Sequence, residues 1–204
     1  MKTSVDAVVF DLGGVLIDWD PRYLYRKLFP GDEAAMEHFL SAIIDVEWNL
    51  RQDAGRSFAA AVAEASTRHP QYASLIKAYD SRWEEMLNGP INGSVTLLDG
   101  LRRRGVALYG LTNWSKETFP IARARFDFLA WFEGIVVSGE ERLIKPDPAI
   151  FHCILERYGL TPATTLFIDD SEKNVVAARD LGFHAHHFRS PEGLGAALNE
   201  YGLL

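Results

Sequence analysis

The chain has 204 residues, 48% of them hydrophobic and 24% charged, with a formal net charge of −7. At about 150 residues per domain this is one sizeable domain, or one domain carrying a smaller insert. The apolar fraction, with 12 Phe, 7 Tyr and 5 Trp, excludes a disordered chain, and the composition excludes collagen, coiled-coil and low-complexity classes. The acidic balance argues against nucleic acid or an anionic membrane surface as partner. A lone cysteine, Cys153, excludes an intrachain disulfide; set in an apolar helical stretch, it is expected to be a buried structural thiol. The start of the chain, with Lys2, then Asp6 and only four apolar residues before Asp11, does not read as a signal peptide. No stretch approaches the ~18 apolar residues that span a bilayer, so a cytoplasmic protein is expected.

In chain order, Val5–Phe10 is an apolar run that stops at Asp11. Near-continuous apolar runs of this length read as parallel strands buried on both faces. From about Asp18 to Pro90 no strand-like run is found. Helical patterns occupy Pro21–Phe29, Asp32–Ile44, Arg56–Ser66 and Tyr72–Leu87 instead, closed by Asn88-Gly89-Pro90. Val95, Leu98 and Leu101 then share a helical face that ends at Gly105, and Val106–Leu111 and Gly134–Val137 read as strands. Asp147-Pro148 marks a helix start, Ile150, Phe151, Ile154 and Tyr158 form its stripe, and Gly159 stops it. Thr165–Ile168 is a strand, Ser171–Leu181 a helix, and Phe183–Phe188 a fifth strand. This alternation predicts an α/β fold with a doubly wound parallel sheet. Residues 1–17 and 91–204 form its core, and residues 18–90 a helical cap over the sheet's carboxyl edge.

Ligands of open α/β sheets bind beyond the carboxyl ends of the strands. Asp11, Thr112, Asn113, Lys145, Asp169 and Asp170 converge there, with Ser171 and Asn174 just after. Three uncompensated carboxylates would repel one another until one took up a proton. A hard divalent cation resolves the conflict, and Mg²⁺ suits carboxylates while keeping waters that a phosphate can replace. Lys145 adds a second positive charge, and Thr112 and Asn113 can donate to phosphoryl oxygens. A carboxylate nucleophile beside a metal is a route to an aspartyl phosphate.

These residues carry a resemblance to a known family. Asp11-Leu12-Gly13-Gly14-Val15-Leu16, Leu111-Thr112-Asn113, Lys145-Pro146-Asp147-Pro148-Ala149-Ile150-Phe151 and Phe167-Ile168-Asp169-Asp170-Ser171 through Asn174 resemble, in order, the four motifs of the haloacid dehalogenase superfamily. The likeness is to the branch with a helical cap inserted after the first motif on a Rossmann-like core. The resemblance implies Asp11 as nucleophile, Thr112, Asn113 and Lys145 as phosphate binders, and Asp170 as a direct metal ligand alongside Asp11. The main-chain carbonyl of Gly13 completes the metal contacts, while Asp169 and Asn174 hold metal-bound waters or orient the ligands.

The chain departs from the pattern at Gly13, where most phosphatases of the superfamily carry a second aspartate as general acid and base. Loss of a general acid costs ~10²–10⁴ in rate, which leaves room for a slower or choosier phosphatase, for a good leaving group, or for a substitute acid from the cap. Asp18 and Asp20 are candidates for that acid, against their alternative reading as hinge and helix cap. Haloacid dehalogenases also lack the second aspartate and need no metal. The Asp169-Asp170 pair favours a cation, and hence a phosphatase of a small phosphorylated metabolite such as a sugar phosphate. A metal-free 2-haloacid dehalogenase and a non-catalytic binding module remain the alternatives. In the cap, Arg22, Tyr23, Trp48, Asn49 and Arg51 are candidates to face the substrate, with Trp48-Asn49-Leu50-Arg51 at a helix–helix junction. Trp48 as cap core and Arg51 as a solvated side chain are the competing readings. His184 and His186 read as ordinary strand histidines, and Arg102-Arg103-Arg104 as a solvated helix end. A monomer or homodimer fits the sequence equally well.

Overall fold

The apolar runs pair into a five-stranded parallel sheet that a computed structural model describes for residues 5–204. Met1–Ser4, part of the amino-terminal stretch discussed above, lie outside the described residues. The strands are β1 (Ala7–Phe10), β4 (Ala107–Thr112), β5 (Gly134–Val137), β6 (Thr165–Asp169) and β7 (His184–His187), in the spatial order β5-β4-β1-β6-β7. β1 is central, with Phe10 in register with Gly110 on one side and Ile168 on the other. All four β1 residues are buried, as a strand covered on both faces requires. Successive residues serve opposite faces. Val8 and Phe10 join one core cluster, while Ala7 and Val9 join another with Phe151, Phe167 and Phe183. Phe151 is fully buried, 5.3 Å from the Phe167 ring and 6.0 Å from that of Phe183. Burial of such a side chain contributes ~1.5–3 kcal/mol.

The helices around the sheet are α6 (Asn92–Arg103), α7 (Phe119–Arg125), α8 (Ser138–Glu141), α9 (Pro148–Tyr158), α10 (Glu172–Asp180) and α11 (Pro191–Glu200). Helix α9 starts and stops as its sequence predicts. Asp147 accepts from Ala149 N, Pro148 occupies the first turn, and Gly159 ends the helix in the left-handed region. Helices α7, α8 and α11 are additional to those expected: α8 spans only four residues, α7 buries Phe119 and Ala122, and α11 buries Leu194 and Leu198. Arg102 and Arg103 both pair with Asp99, and the Arg102 guanidinium lies over Trp131, so the basic run is engaged in its own helix end.

Between β1 and α6 lie α1 (Arg22–Leu28), α2 (Glu33–Ala42), α3 (Val46–Asp53), α4 (Phe58–Arg68) and α5 (Ala73–Ser81). They share an aromatic cluster: Tyr25 lies 5.0 Å from Phe39, and Tyr79 5.0 Å from Trp48 and 6.0 Å from Phe58. Two expectations are corrected here. The segment is not free of strands, because β2 (Ile17–Trp19) pairs antiparallel with β3 (Leu87–Pro90) at its root. These strands are three and four residues long and pair across about 70 positions of chain, so tertiary contact and not local pattern makes them. Trp48 through Arg51 are not at a helix–helix junction but inside α3, which Asp45 caps by accepting from Trp48 N.

Cys153 is only half-buried, with its thiol 3.7 Å from Glu141 Oε2, rather than a fully buried core thiol. His184 and His187 contact backbone carbonyls of Ala163 and Asp170 on the half-exposed edge strand β7. Among the described residues, no helix is long and apolar enough to cross a membrane.

Candidate active site

The end of β1 carries Asp11 into a tight turn. Leu12 O accepts from the amides of Val15, Leu16 and Ile17, which reverses the chain at once. Gly14 makes the turn possible with φ of +73°, and a Cβ there would also collide with the carboxylate of Asp170. The first motif thus brings β1 and the loop after β6 into close approach.

Lys145 stands at the centre of the site, its ammonium fully buried. Nζ lies 2.9 Å from Asp11 Oδ2 and 2.6 Å from Asp169 Oδ2. Burial alone would depress the ammonium; the two carboxylates reverse this and hold it above its ordinary value. Asp169 is saturated with donors, since Asn174 Nδ2 contacts both its oxygens at 2.9 and 3.1 Å and Ser171 N donates to Oδ1 at 2.8 Å. Asp11 is poorly solvated by comparison. Burial pushes its carboxyl up to about 8, with Lys145 opposing and Asp169 and Asp170 adding to the rise.

Asp11, Asp169 and Asp170 each present a ligand atom within 4.8 Å of the others. Three hard oxygen donors with one exposed member, Asp170, fit a Mg²⁺ ion that retains waters. The rise of Asp11 comes first from burial and then from Asp169 and Asp170, so a further cation there would favour the ionised carboxylate. Thr112, at the end of β4, has a buried hydroxyl with no hydrogen-bond partner among the described residues, as expected of a group that meets a ligand oxygen.

Beside this cluster lies a cavity of about 80 Å³, lined by Gly13, Asn113, Trp114 and Thr118 from the sheet side and by Trp19, Asn49, Asp53, Phe58 and Trp83 from the helical insert and its root. That is several times the ~10–15 Å³ needed for one water. A model of haloacid dehalogenase-like hydrolases matches residues 5–182.

The chain belongs to this family.

It is 28% identical over 193 residues to the sesquiterpene phosphatase astK of Aspergillus oryzae, covering 92% of this chain and 91% of that protein. It is 30% identical over 209 residues to mouse acyl-CoA dehydrogenase family member 10, covering 93% of this chain, although this chain spans only 18% of the length of that relative. The solved structure of the HAD family enzyme bt-2542 of Bacteroides thetaiotaomicron, in complex with magnesium and inorganic phosphate, superposes with a TM-score of 0.71 at 27% identity, covering 92% of this chain and 96% of that one.

In this haloacid dehalogenase-like hydrolase, Asp11, Lys145, Asp169 and Asp170 come together as the sequence predicted. Asn113 lines the cavity, and its side-chain amide also donates to Lys145 O and accepts from Lys145 N. Of the predicted cap residues, only Asn49 reaches the cavity. Trp48 is buried against Phe58 and Tyr79, and Arg51 is exposed. Arg22 is held by Glu37 and Asp20, and Tyr23 donates to Asp18. Asp18 also accepts from Asn88, so neither Asp18 nor Asp20 is directed at the cavity. Sequence reasoning missed Trp19, Asp53, Phe58, Trp83, Trp114 and Thr118. The one available signal was the spacing of Asn49 and Asp53, which puts an amide and a carboxylate on one helical face.

Proposed function

We propose that this hydrolase is a Mg²⁺-dependent phosphatase of a small phosphorylated metabolite, acting through an aspartyl phosphate on Asp11. The observation that carries the reading is the cluster of three carboxylates with Lys145 at 2.9 Å from Asp11. Such a cluster would repel the carboxylate of a haloacid, but with a cation it attracts a phosphate dianion. The magnesium and phosphate held by the similar Bacteroides enzyme support the same reading. Bound Mg²⁺ would neutralise the carboxylates, keep Asp11 ionised and withdraw charge from the phosphoryl group.

The protein's own residues supply the rest. An Asp11 oxygen attacks phosphorus in line, and the bond from phosphorus to the ester oxygen breaks. Lys145 balances the charge on the phosphoryl oxygens, and the Thr112 hydroxyl donates to one of them. Water then attacks the phosphorus of the aspartyl phosphate, releasing phosphate and the free Asp11 carboxylate. Asp170 and the Gly13 carbonyl would help Asp11 hold the ion, and Asp169 and Asn174 would orient Lys145 and the ligands around it. The segment 18–90 serves as lid on a core of 1–17 and 91–204, and its aromatic rings exclude water from the leaving-group side. Trp19, Trp83 and Trp114 give the cavity an aromatic lining suited to a small cyclic leaving group such as a sugar.

Mass spectrometry after acid quench tests the reading. A phosphoryl group on the peptide containing Asp11, present with Mg²⁺ and 4-nitrophenyl phosphate and absent from Asp11→Asn, is the expected result. Turnover with no adduct in single-turnover samples would count against the covalent route.

A further inference from the structure

We infer that Asp53, delivered from α3 of the helical insert, is the general acid and base of this hydrolase in place of the side chain that Gly13 lacks. The inference rests on the phosphatase reading above. Its first support is position. Asp53 lines the same cavity as Gly13 and Asn113, which belong to the loops carrying Asp11 and Thr112. A Cβ built on Gly13 meets nothing within 4 Å, so the space a side chain would take there stays open to groups across the cavity.

The second support is that Asp53 is a buried carboxylate with no neutralising ion pair among the described residues. It is the last residue of α3, where the helix dipole disfavours negative charge and where an acidic residue caps nothing. It is 8% exposed and, among the described residues, has no ion-pair partner. A buried carboxylate without an ion pair is costly, and one that lines a cavity is a candidate functional group.

The third support is that Asp53 is held in place. Asn49 Nδ2 donates to its Oδ2 at 3.1 Å, and the Asn49 amide is oriented by Tyr79, whose hydroxyl donates to Asn49 Oδ1 at 2.8 Å. The Ser115 backbone N–H donates to the Asp53 carboxylate from the loop after β4. The Asp53 carbonyl accepts from Ser138 Oγ at 2.6 Å, which pins the end of α3 to the start of α8. Proton transfer needs this kind of fixed geometry.

Burial pushes the Asp53 carboxyl up to about 7, with the Ser115 N–H and the positive charge of Lys145 opposing. Tyr79 is the other titratable group against it, itself held well above its ordinary value by burial and then by Asp53. A group near neutrality can give and recover a proton. As the bond to phosphorus breaks, the protonated Asp53 gives its proton to the departing ester oxygen, which leaves as the alcohol. The resulting carboxylate takes a proton from the water that attacks the aspartyl phosphate, so Asp53 ends the cycle protonated as it began.

The test measures kcat/KM for native protein and Asp53→Asn over phosphate monoesters ranging from 4-nitrophenyl to simple alkyl leaving groups, with Mg²⁺. A lost general acid hurts poor leaving groups most. The expected result is a fall of ~10²–10⁴ on alkyl phosphates, a fall below about tenfold on 4-nitrophenyl phosphate, and loss of the decline in kcat/KM as pH rises through about 7. An equal fall on every leaving group, with an unchanged pH profile, would overturn the role of Asp53 and leave the phosphatase reading standing. No Mg²⁺-dependent phosphate release by the native chain would overturn both. A circular dichroism spectrum and a thermal midpoint close to those of the native chain show that the variant is folded.

Discussion

Asn113 grips Lys145 by its main chain at both polar atoms, Nδ2 donating to Lys145 O at 2.9 Å and Oδ1 accepting from Lys145 N at 2.8 Å. A single side chain from the end of β4 thereby fixes the backbone of the residue whose ammonium joins Asp11 to Asp169. Two elements far apart in sequence are locked together, and the buried charge is aimed without any contact from Asn113 to that charge.

Asn113→Ala removes the grip but no charge. A displacement of ~1 Å in a catalytic group can cost ~10² in rate, so kcat on 4-nitrophenyl phosphate is expected to fall about 10–100-fold. Steady-state kinetics decide the matter, and an unchanged kcat would show that Lys145 is held by other means.

Lys145→Met leaves Asp11 and Asp169 buried without their shared cation. Breaking a buried pair by removing one partner costs ~3–5 kcal/mol. Urea unfolding at neutral pH without added metal is expected to show a loss of that order, with catalysis abolished. A loss under about 1 kcal/mol would mean that the carboxylates are compensated some other way.

Gly14→Ala meets two obstacles, a φ of +73° and the Asp170 carboxylate where the methyl must go. Strain of this kind costs ~1–3 kcal/mol. More tellingly, Asp170 has to move, so the gain in thermal stability on adding Mg²⁺ should shrink in the variant. For the native chain a ligand at 100 times its Kd adds ~2.7 kcal/mol. Equal Mg²⁺ stabilisation in both proteins would remove Asp170 from the metal's contacts.

Asp53 gives a stability signature that is separate from rate. Its carboxyl is raised to about 7 in the fold, against 3.8 as the ordinary value. The folded state therefore holds the proton that the unfolded chain releases, and this group lowers stability progressively as pH climbs from about 4 to about 7. Asp53→Asn lacks that penalty. The stability of the variant relative to the native chain should rise by a few kcal/mol between pH 4 and pH 7 and then level off. Parallel curves over that range would show that Asp53 titrates near its ordinary value.

Most of the core was legible because its signals are local. Each apolar run of the sheet stops at a polar residue, and the residues that stop β1, β4 and β6 are Asp11, Asn113 and Asp170, at or beside the cluster of carboxylates around Lys145. The ends of α9 follow from Asp147, Pro148 and Gly159 in the same local way. What escaped depends on distant partners. The pairing of β2 with β3 exists only because Ile17 meets Pro90 across the whole insert. Asn113 reads as a phosphate donor beside Thr112, and only the fold shows that its amide also holds the Lys145 main chain. Trp48 and Asp53 lie five residues apart on α3, yet the first packs into the insert's aromatic cluster while the second faces the cavity. Which side of α3 meets the sheet is decided by Ser115 and Ser138, more than 60 residues away in sequence.

Release of phosphate and of chloride, each measured with and without Mg²⁺, separates the two chemistries open to a buried aspartate in this family. Native protein should liberate phosphate from 4-nitrophenyl phosphate only with Mg²⁺, liberate no chloride from 2-chloropropionate, and lose its activity in Asp11→Asn. Chloride release that needs no metal would contradict the phosphatase reading and make the protein a dehalogenase.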